Sequence, residues 1–296
     1  MKEKLVRIKS NDGIEMPGIL YTPKDYSENI CIHVHGMNGN FYENRFVDVL
    51  ADTYTENGYS FLTFNNRGRD FITELIKDDD FTLIGGSLER FQDSLFDIQG
   101  AIDYVKKLGY KNIILEGHSY GCNKVLYYYN KIEDNSIKKI VLLAPCDIPE
   151  ESKKFLSSDE YENAVRESEE LVQKGRDMEL INYSVMANGK VAAGTFYYDF
   201  LPGGENDFIR YRDGADGKSD VLSKIKIPIL IIFGDKDECV LTENIDVVSG
   251  YLKNNISNCN LHVIKNTDHI FTDKFNKLGE IINNFFNHWF FSYMIL

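Results

Sequence analysis

Apolar positions along the chain recur with two periods, and the switching between them sets out the fold. Residues 5 to 22 alternate around Asn11-Asp12-Gly13, the pattern of two antiparallel strands joined by a tight turn. Largely apolar runs then occupy Asn29 to Val34, Ser60 to Phe64, Ile113 to Leu115, Lys139 to Leu143 and Ile229 to Phe233, with a further strand expected over Asn260 to Lys265. Short continuous runs of this kind suit strands buried on both faces of a parallel sheet. Between them the period lengthens to that of a helix. Helices are expected near 41–57, over about 88–108 with Phe91, Leu95, Ile98, Ile102 and Val105 on one stripe, after residue 119, and over 273–291. Strands alternating with helices predict an α/β fold with a mostly parallel central sheet flanked by helices.

The rhythm breaks between residues 147 and 222, a stretch separating two strands that should be sheet neighbours. From Pro149 to about Val185 the segment is rich in Glu, Lys and Ser at helical spacing; Phe196-Tyr197-Tyr198-Asp199-Phe200 and Pro202-Gly203-Gly204 follow. It is expected to be a cap inserted above the carboxyl ends of the strands, leaving residues 1–146 and 223–296 as the core. Phe196 and Tyr198 could supply an apolar wall for a ligand or simply pack the cap onto the core, and their alternation favours neither.

Chemistry concentrates where the apolar runs end. Ile113-Ile114-Leu115 leads into Gly117-His118-Ser119-Tyr120-Gly121, after which Cys122, Val125, Leu126 and Tyr129 recur with a helical period. A serine on a sharp strand-to-helix turn projects its hydroxyl above the sheet, and flanking glycines leave room for the neighbouring backbone. Such a serine needs a base, and the base needs an acid that fixes its tautomer. Of six histidines, His33, His35, His262 and His288 fall within expected strands or the terminal helix, and His118 adjoins the serine, where it is expected to pack or hydrogen-bond locally. His269, in the loop after the last strand, is left as the base. The acid is sought in Gly234-Asp235-Lys236-Asp237, where Asp237 lies further into the loop; Asp235 is the alternative, with capping of its own turn as its other role. The strand at 29–34 opens into His35-Gly36-Met37-Asn38-Gly39, a loop that can present backbone amides. The amides of Met37 and Tyr120 are the candidate anion donors, and the His35 and Asn38 side chains are candidate pocket residues.

With its HG-x-x-G loop, G-x-S-x-G elbow, Gly-x-x-Asp turn and Asp-His turn in that order, nearly the whole chain outside the central segment resembles the α/β-hydrolase superfamily. The resemblance implies a serine esterase or lipase-like enzyme with the catalytic triad Ser119, Asp237 and His269, a nucleophile elbow, an oxyanion hole and an acyl-enzyme, acting without metal or cofactor. A small to medium carboxylic ester, acyl or aromatic, is the leading substrate class. Acyl transfer or thioester cleavage on the same triad, and a non-catalytic binding role on the same fold, are the alternatives.

Charge and cysteine usage narrow the setting. Lys and Arg number 33 against 46 Asp and Glu, a net charge of −13, so nucleic acid and anionic membranes are excluded as expected partners. A small-molecule substrate, with room for a homodimer, is expected instead. The amino terminus carries no apolar leader pattern, which points to the cytoplasm. Five cysteines, at 31, 122, 146, 239 and 259, form no metal-binding spacing, so reduced thiols and no structural zinc are expected. Asp78-Asp79-Asp80 is expected to be a solvated surface turn.

Overall fold

The computed structural model describes the chain apart from residues 187–188, 242 and 293–296. In chain order its strands are β1 Lys2–Lys9, β2 Glu15–Thr22, β3 Asn29–Val34, β4 Ser60–Phe64, β5 Thr73–Lys77, β6 Asp80–Ile84, β7 Asn112–His118, β8 Ile137–Leu143, β9 Leu180–Met186, β10 Gly189–Ala192, β11 Ile229–Gly234 and β12 Cys259–Ile264. Its helices are α1 Phe46–Glu56, α2 Ser94–Lys107, α3 Tyr120–Lys131, α4 Ile148–Lys153, α5 Ser158–Gln173, α6 Asp220–Ser223, α7 Ile245–Asn255 and α8 Phe275–Ser292.

One large sheet runs β1-β2-β4-β3-β7-β8-β11-β12. The β1–β2 and β2–β4 pairs are antiparallel, and every pair from β4 to β12 is parallel. The apolar runs fill its middle: Ile30, Ile32, Val34, Ile113, Leu115, Val141, Leu142, Leu143 and Ile229 through Phe233 are all buried. Parallel strands covered by helices on both faces have no solvent side, which is why these runs do not alternate. On α2, Ile98, Ile102 and Val105 are buried as the stripe predicts. No described helix is long and apolar enough to cross a membrane.

Several elements start or stop where local polar chemistry overrides the hydrophobic period. The first helix begins at Phe46 rather than near 41, because the Asn40 side chain accepts from the amides of Tyr42 and Glu43 and holds a turn there. Helix α2 begins at Ser94, after a 3-10 turn at Phe91–Asp93. Residues 73–84, which carry no strong strand signal, form the β5–β6 hairpin. Asp78 and Asp79 make its turn at φ of 49° and 72°, a left-handed conformation that Asp tolerates better than most residues, and Lys9 Nζ lies 2.7 Å from Asp78.

The central segment departs most from its pattern. Its helical spacing holds through α4 and α5, the latter opened by a reciprocal Ser157–Glu160 capping box. It ends at Gln173, before Gly175 at φ 68°. Residues 180–186, expected to be helical, instead pair antiparallel with β10. The aromatic run forms a π-helical turn, Thr195–Phe200. The segment is tied to the rest of the chain by polar links: Ala192 N to Ser87 O, 2.7 Å; Thr195 Oγ1 to Glu89 O, 2.8 Å; Asn123 Nδ2 to Asn206 Oδ1, 2.9 Å; and Arg90 Nε to Asp199, 3.2 Å.

Candidate active site

Strand β7 delivers Ser119 to the first turn of α3. Its φ of 55° and ψ of −128° are a conformation that a residue with a side chain adopts only under constraint. The constraint is visible: Ser119 N donates to Leu143 O at 2.8 Å, and Cys122 N returns to Ser119 O at 2.9 Å. The flanking glycines are sterically required. A Cβ at Gly121 would sit 2.1 Å from Val34 O, one at Gly117 would sit 2.4 Å from Gly121 O, and one at Gly36 would sit 2.8 Å from Ser119 Cβ. Backbone therefore packs on backbone at the elbow, leaving Ser119 partly exposed at its tip.

Asp237 and His269 meet although 32 residues separate them. His269 Nδ1 lies 2.9 Å from Asp237 Oδ1, and that same oxygen accepts from the amides of Cys239 and Val240, each at 3.0 Å. Asp237 is fully buried, and its Oδ2 has no hydrogen-bond partner among the described residues. Burial disfavours an imidazolium at His269, yet the Asp237 charge and hydrogen bond outweigh it and raise the pKa well above the ordinary histidine value. Asp235 does different work. Its Oδ1 accepts from Asn266 N at 2.6 Å, and Lys236 N donates to Thr267 O at 3.0 Å, so the two loops are laced together through the backbone.

His118 is not confined to local contacts. Its Nε2 donates to the backbone carbonyl of His269 at 3.0 Å, and its ring packs 4.8 Å from that of Phe46. Burial, with neighbouring His269, lowers its pKa well below the ordinary value, so the ring is a neutral donor at physiological pH. Ser119 Oγ makes no direct hydrogen bond to His269 among the described residues; its polar neighbour is Cys146 Sγ at 3.9 Å. Hydrogen bonds between such groups are often long without substrate.

The loop after β3 is held from beneath. His35, expected to line a pocket, is instead buried, with Nδ1 donating to Gly36 O at 2.7 Å and Nε2 accepting from Asn66 N at 3.0 Å. Burial, helped by the Lys124 charge, pushes its pKa down to about 3. Both ring nitrogens are committed to backbone, so His35 offers no polar atom to a ligand. Asn66 also accepts from Gly68 N and from Lys124 Nζ, and Lys124 pairs with Glu89 at 2.7 Å, both side chains 1% exposed. Asn38, at φ 57°, donates its amide to Gly68 O at 2.9 Å and keeps a buried Oδ1 without a partner among the described residues. Between these fixed points the Met37 amide is free of internal partners among the described residues, as is that of Tyr120 at the first position of α3.

Of the aromatic run, Phe200 is the member whose ring meets Tyr120, at 6.1 Å. Phe196 is fully buried against Tyr161 and Phe200, whereas Tyr198 is 39% exposed with Arg90 stacked 4.4 Å above it. Sequence reasoning passed over Lys124, Asn66 and Glu89, and read Cys239 only as one of five scattered thiols. A lysine among the apolar residues of α3 was the available signal for the first; nothing in the local pattern marked the others.

A family model described as "Protein of unknown function (DUF1749)" matches residues 22–280. The chain belongs to the DUF1749 family. No curated protein matches this DUF1749 chain by sequence, but solved structures match its fold over nearly the full length. Est1E from Butyrivibrio proteoclasticus is 22% identical, with a TM-score of 0.67 over 96% of this chain and 98% of that one; the form titled with ferulic acid bound, also 22% identical, gives 0.68 over the same shares. An esterase from Pyrococcus furiosus, 15% identical, gives 0.61 over 97% of this chain and 91% of its own. The DUF1749 protein thus has the α/β-hydrolase fold.

Proposed function

We propose that this DUF1749 protein is a serine hydrolase of small to medium carboxylic esters. The observation that carries the proposal is the convergence of three loops on Ser119: the strained elbow, the His269–Asp237 pair tied to it through His118, and an adjoining loop with a free amide.

In this mechanism Ser119 Oγ attacks the ester carbonyl while His269 Nε2, on the ring edge opposite Asp237, takes the hydroxyl proton. The Met37 and Tyr120 amides stabilise the developing oxyanion, an interaction worth about 2.7–4 kcal/mol per donor in comparable sites. His269 then returns the proton to the leaving alcohol, and water repeats the cycle on the acyl-enzyme. Asp237, anchored by two backbone amides, orients His269 and stabilises its charged form. Asn38 and Tyr198 are the proposed ligand contacts, whereas Phe196 and Phe200 are fully buried and back the Tyr120 ring.

Residues 147–222 are proposed to act as a cap, since they join the sheet domain through side-chain links around Glu89, Arg90 and Asn123. Ferulic acid bound to Est1E recommends aromatic acyl esters among the first substrates. The test is hydrolysis of a graded set of nitrophenyl and methyl hydroxycinnamate esters by wild type and Ser119→Ala. Turnover confined to the wild type is expected; equal turnover by both would remove Ser119 from the reaction.

A further inference from the structure

Cys239 stands two residues beyond Asp237, and its thiol lies beside both His269 and Glu151. One ligand atom each from Asp237, Cys239 and His269 lie within 4.8 Å of one another. Asp237 is fully buried with Oδ2 unpartnered among the described residues, and Glu151, 3% exposed, places a second carboxylate against the thiol. A buried carboxylate oxygen without a donor is costly, and a cation relieves that cost. His269 and Cys239 are both partly exposed, which gives an ion a route in.

We propose that Asp237, Cys239 and His269 form a binding site for a borderline-soft divalent cation, zinc in particular, that switches the hydrolase off. Carboxylate, thiolate and imidazole together select zinc over magnesium or calcium, which prefer oxygen alone. Tetrahedral zinc with bonds of about 2.0–2.3 Å sets its ligand atoms roughly 3.3–3.7 Å apart, so the cluster closes with side-chain movements of about an ångström. The proton balance is simple. The Cys239 thiol and His269 Nδ1 each release a proton to solvent, and His269 keeps the proton on Nε2. With Nε2 protonated, His269 cannot accept the proton of Ser119. The inhibitory consequence rests on the hydrolase proposal; the binding does not.

Cobalt(II) titration of the full chain separates the two, because a cobalt–thiolate bond gives a near-ultraviolet charge-transfer absorption that needs no activity. One equivalent is expected to produce that absorption and to block labelling of Ser119 by a fluorophosphonate, with EDTA reversing both and zinc displacing cobalt. Cys239→Ser should abolish the absorption, whereas Cys259→Ser, altering a cysteine on β12 away from the cluster, should keep it. No absorption, or one that survives Cys239→Ser, would overturn the site. Failure of the metal-free protein to label, with the cobalt signal intact, would instead count against the hydrolase proposal alone.

Discussion

His118 and His269, 151 residues apart in sequence, are joined by a hydrogen bond from the ring of the first to the backbone carbonyl of the second, at 3.0 Å. The residue before the proposed nucleophile thus holds the loop that carries the proposed base. His118→Ala should leave the triad side chains intact but free that loop. We expect kcat/KM to fall roughly 10- to 100-fold, as a displacement of about 1 Å can do, with a stability loss of about 1–3 kcal/mol from the lost packing and the unpaired carbonyl. Ester kinetics beside urea unfolding measure both; unchanged kinetics would mean that the base loop is positioned by other contacts.

The two carboxylates of the 234–237 turn should separate cleanly. Asp237→Asn removes the charge facing His269 Nδ1 and leaves a group that can present the wrong tautomer, so a loss of roughly 10³- to 10⁴-fold in kcat is expected. Asp235→Asn disturbs the bond from Asn266 N and the exposed pairing with Lys265 Nζ at 3.7 Å, neither of which reaches His269, and should cost less than about tenfold, together with about 1 kcal/mol of stability. The reverse ranking would move the acid to Asp235.

The glycines distinguish folding from function. A methyl group at Gly121 would meet Val34 O at 2.1 Å, backbone against backbone, so Gly121→Ala should destabilise by more than about 3 kcal/mol. At Gly36 the nearest obstruction is Ser119, with Cβ at 2.8 Å and Oγ at 3.3 Å, and the His118 carbonyl at 3.0 Å is a milder backbone contact than that at Gly121. Gly36→Ala should therefore abolish serine labelling with a smaller loss of thermal stability. Comparing the two variants by differential scanning fluorimetry and labelling checks the contrast; equal stability losses would contradict it.

Acidity should stabilise the fold through two buried aspartates of the central segment, Asp199 facing Arg90 outside it and Asp147 facing Arg212 within it. Burial raises the Asp199 pKa to about 6 despite Arg90, and raises that of Asp147 to about 6 despite Arg212. An unfolded aspartate titrates near its ordinary value of 3.8, so the folded state binds these protons more readily. Their contribution is fully present below about pH 4 and is lost as pH rises through about 6. Between pH 8 and pH 5 each group then adds about 1–1.5 kcal/mol to stability. Asp199→Asn, which resembles the protonated form, should compare more favourably with wild type at pH 8 than at pH 5 in urea unfolding. A pH-independent difference would show that Asp199 keeps its ordinary acidity.

What could be read from the sequence follows from how local the physics is. The buried strands announced themselves, because a parallel strand between helices must be apolar on both faces. Gly117, Ser119 and Gly121 did so too, since the elbow's sterics are satisfied within five residues. Helix α1 started late because one side chain, Asn40, outcompeted the helical period. Residues 180–186 carry apolar side chains spaced for either structure, and pairing with β10 decided the outcome. His35 was expected at a pocket and serves as a buried strut, because its partner, the Asn66 amide, comes from a different strand end. The links of Lys124 to Glu89 and of His118 to His269 are tertiary in the same sense, and no short window contains them.

A hydrolase of this kind requires Ser119 to be an activated nucleophile. The most direct test of that requirement is reaction of the purified, metal-free protein with a fluorophosphonate, followed by intact-mass analysis of wild type and Ser119→Ala. A single adduct on the wild type and none on the variant is the expected result. An unmodified wild-type protein that is demonstrably folded, or an adduct that persists in Ser119→Ala, would contradict it.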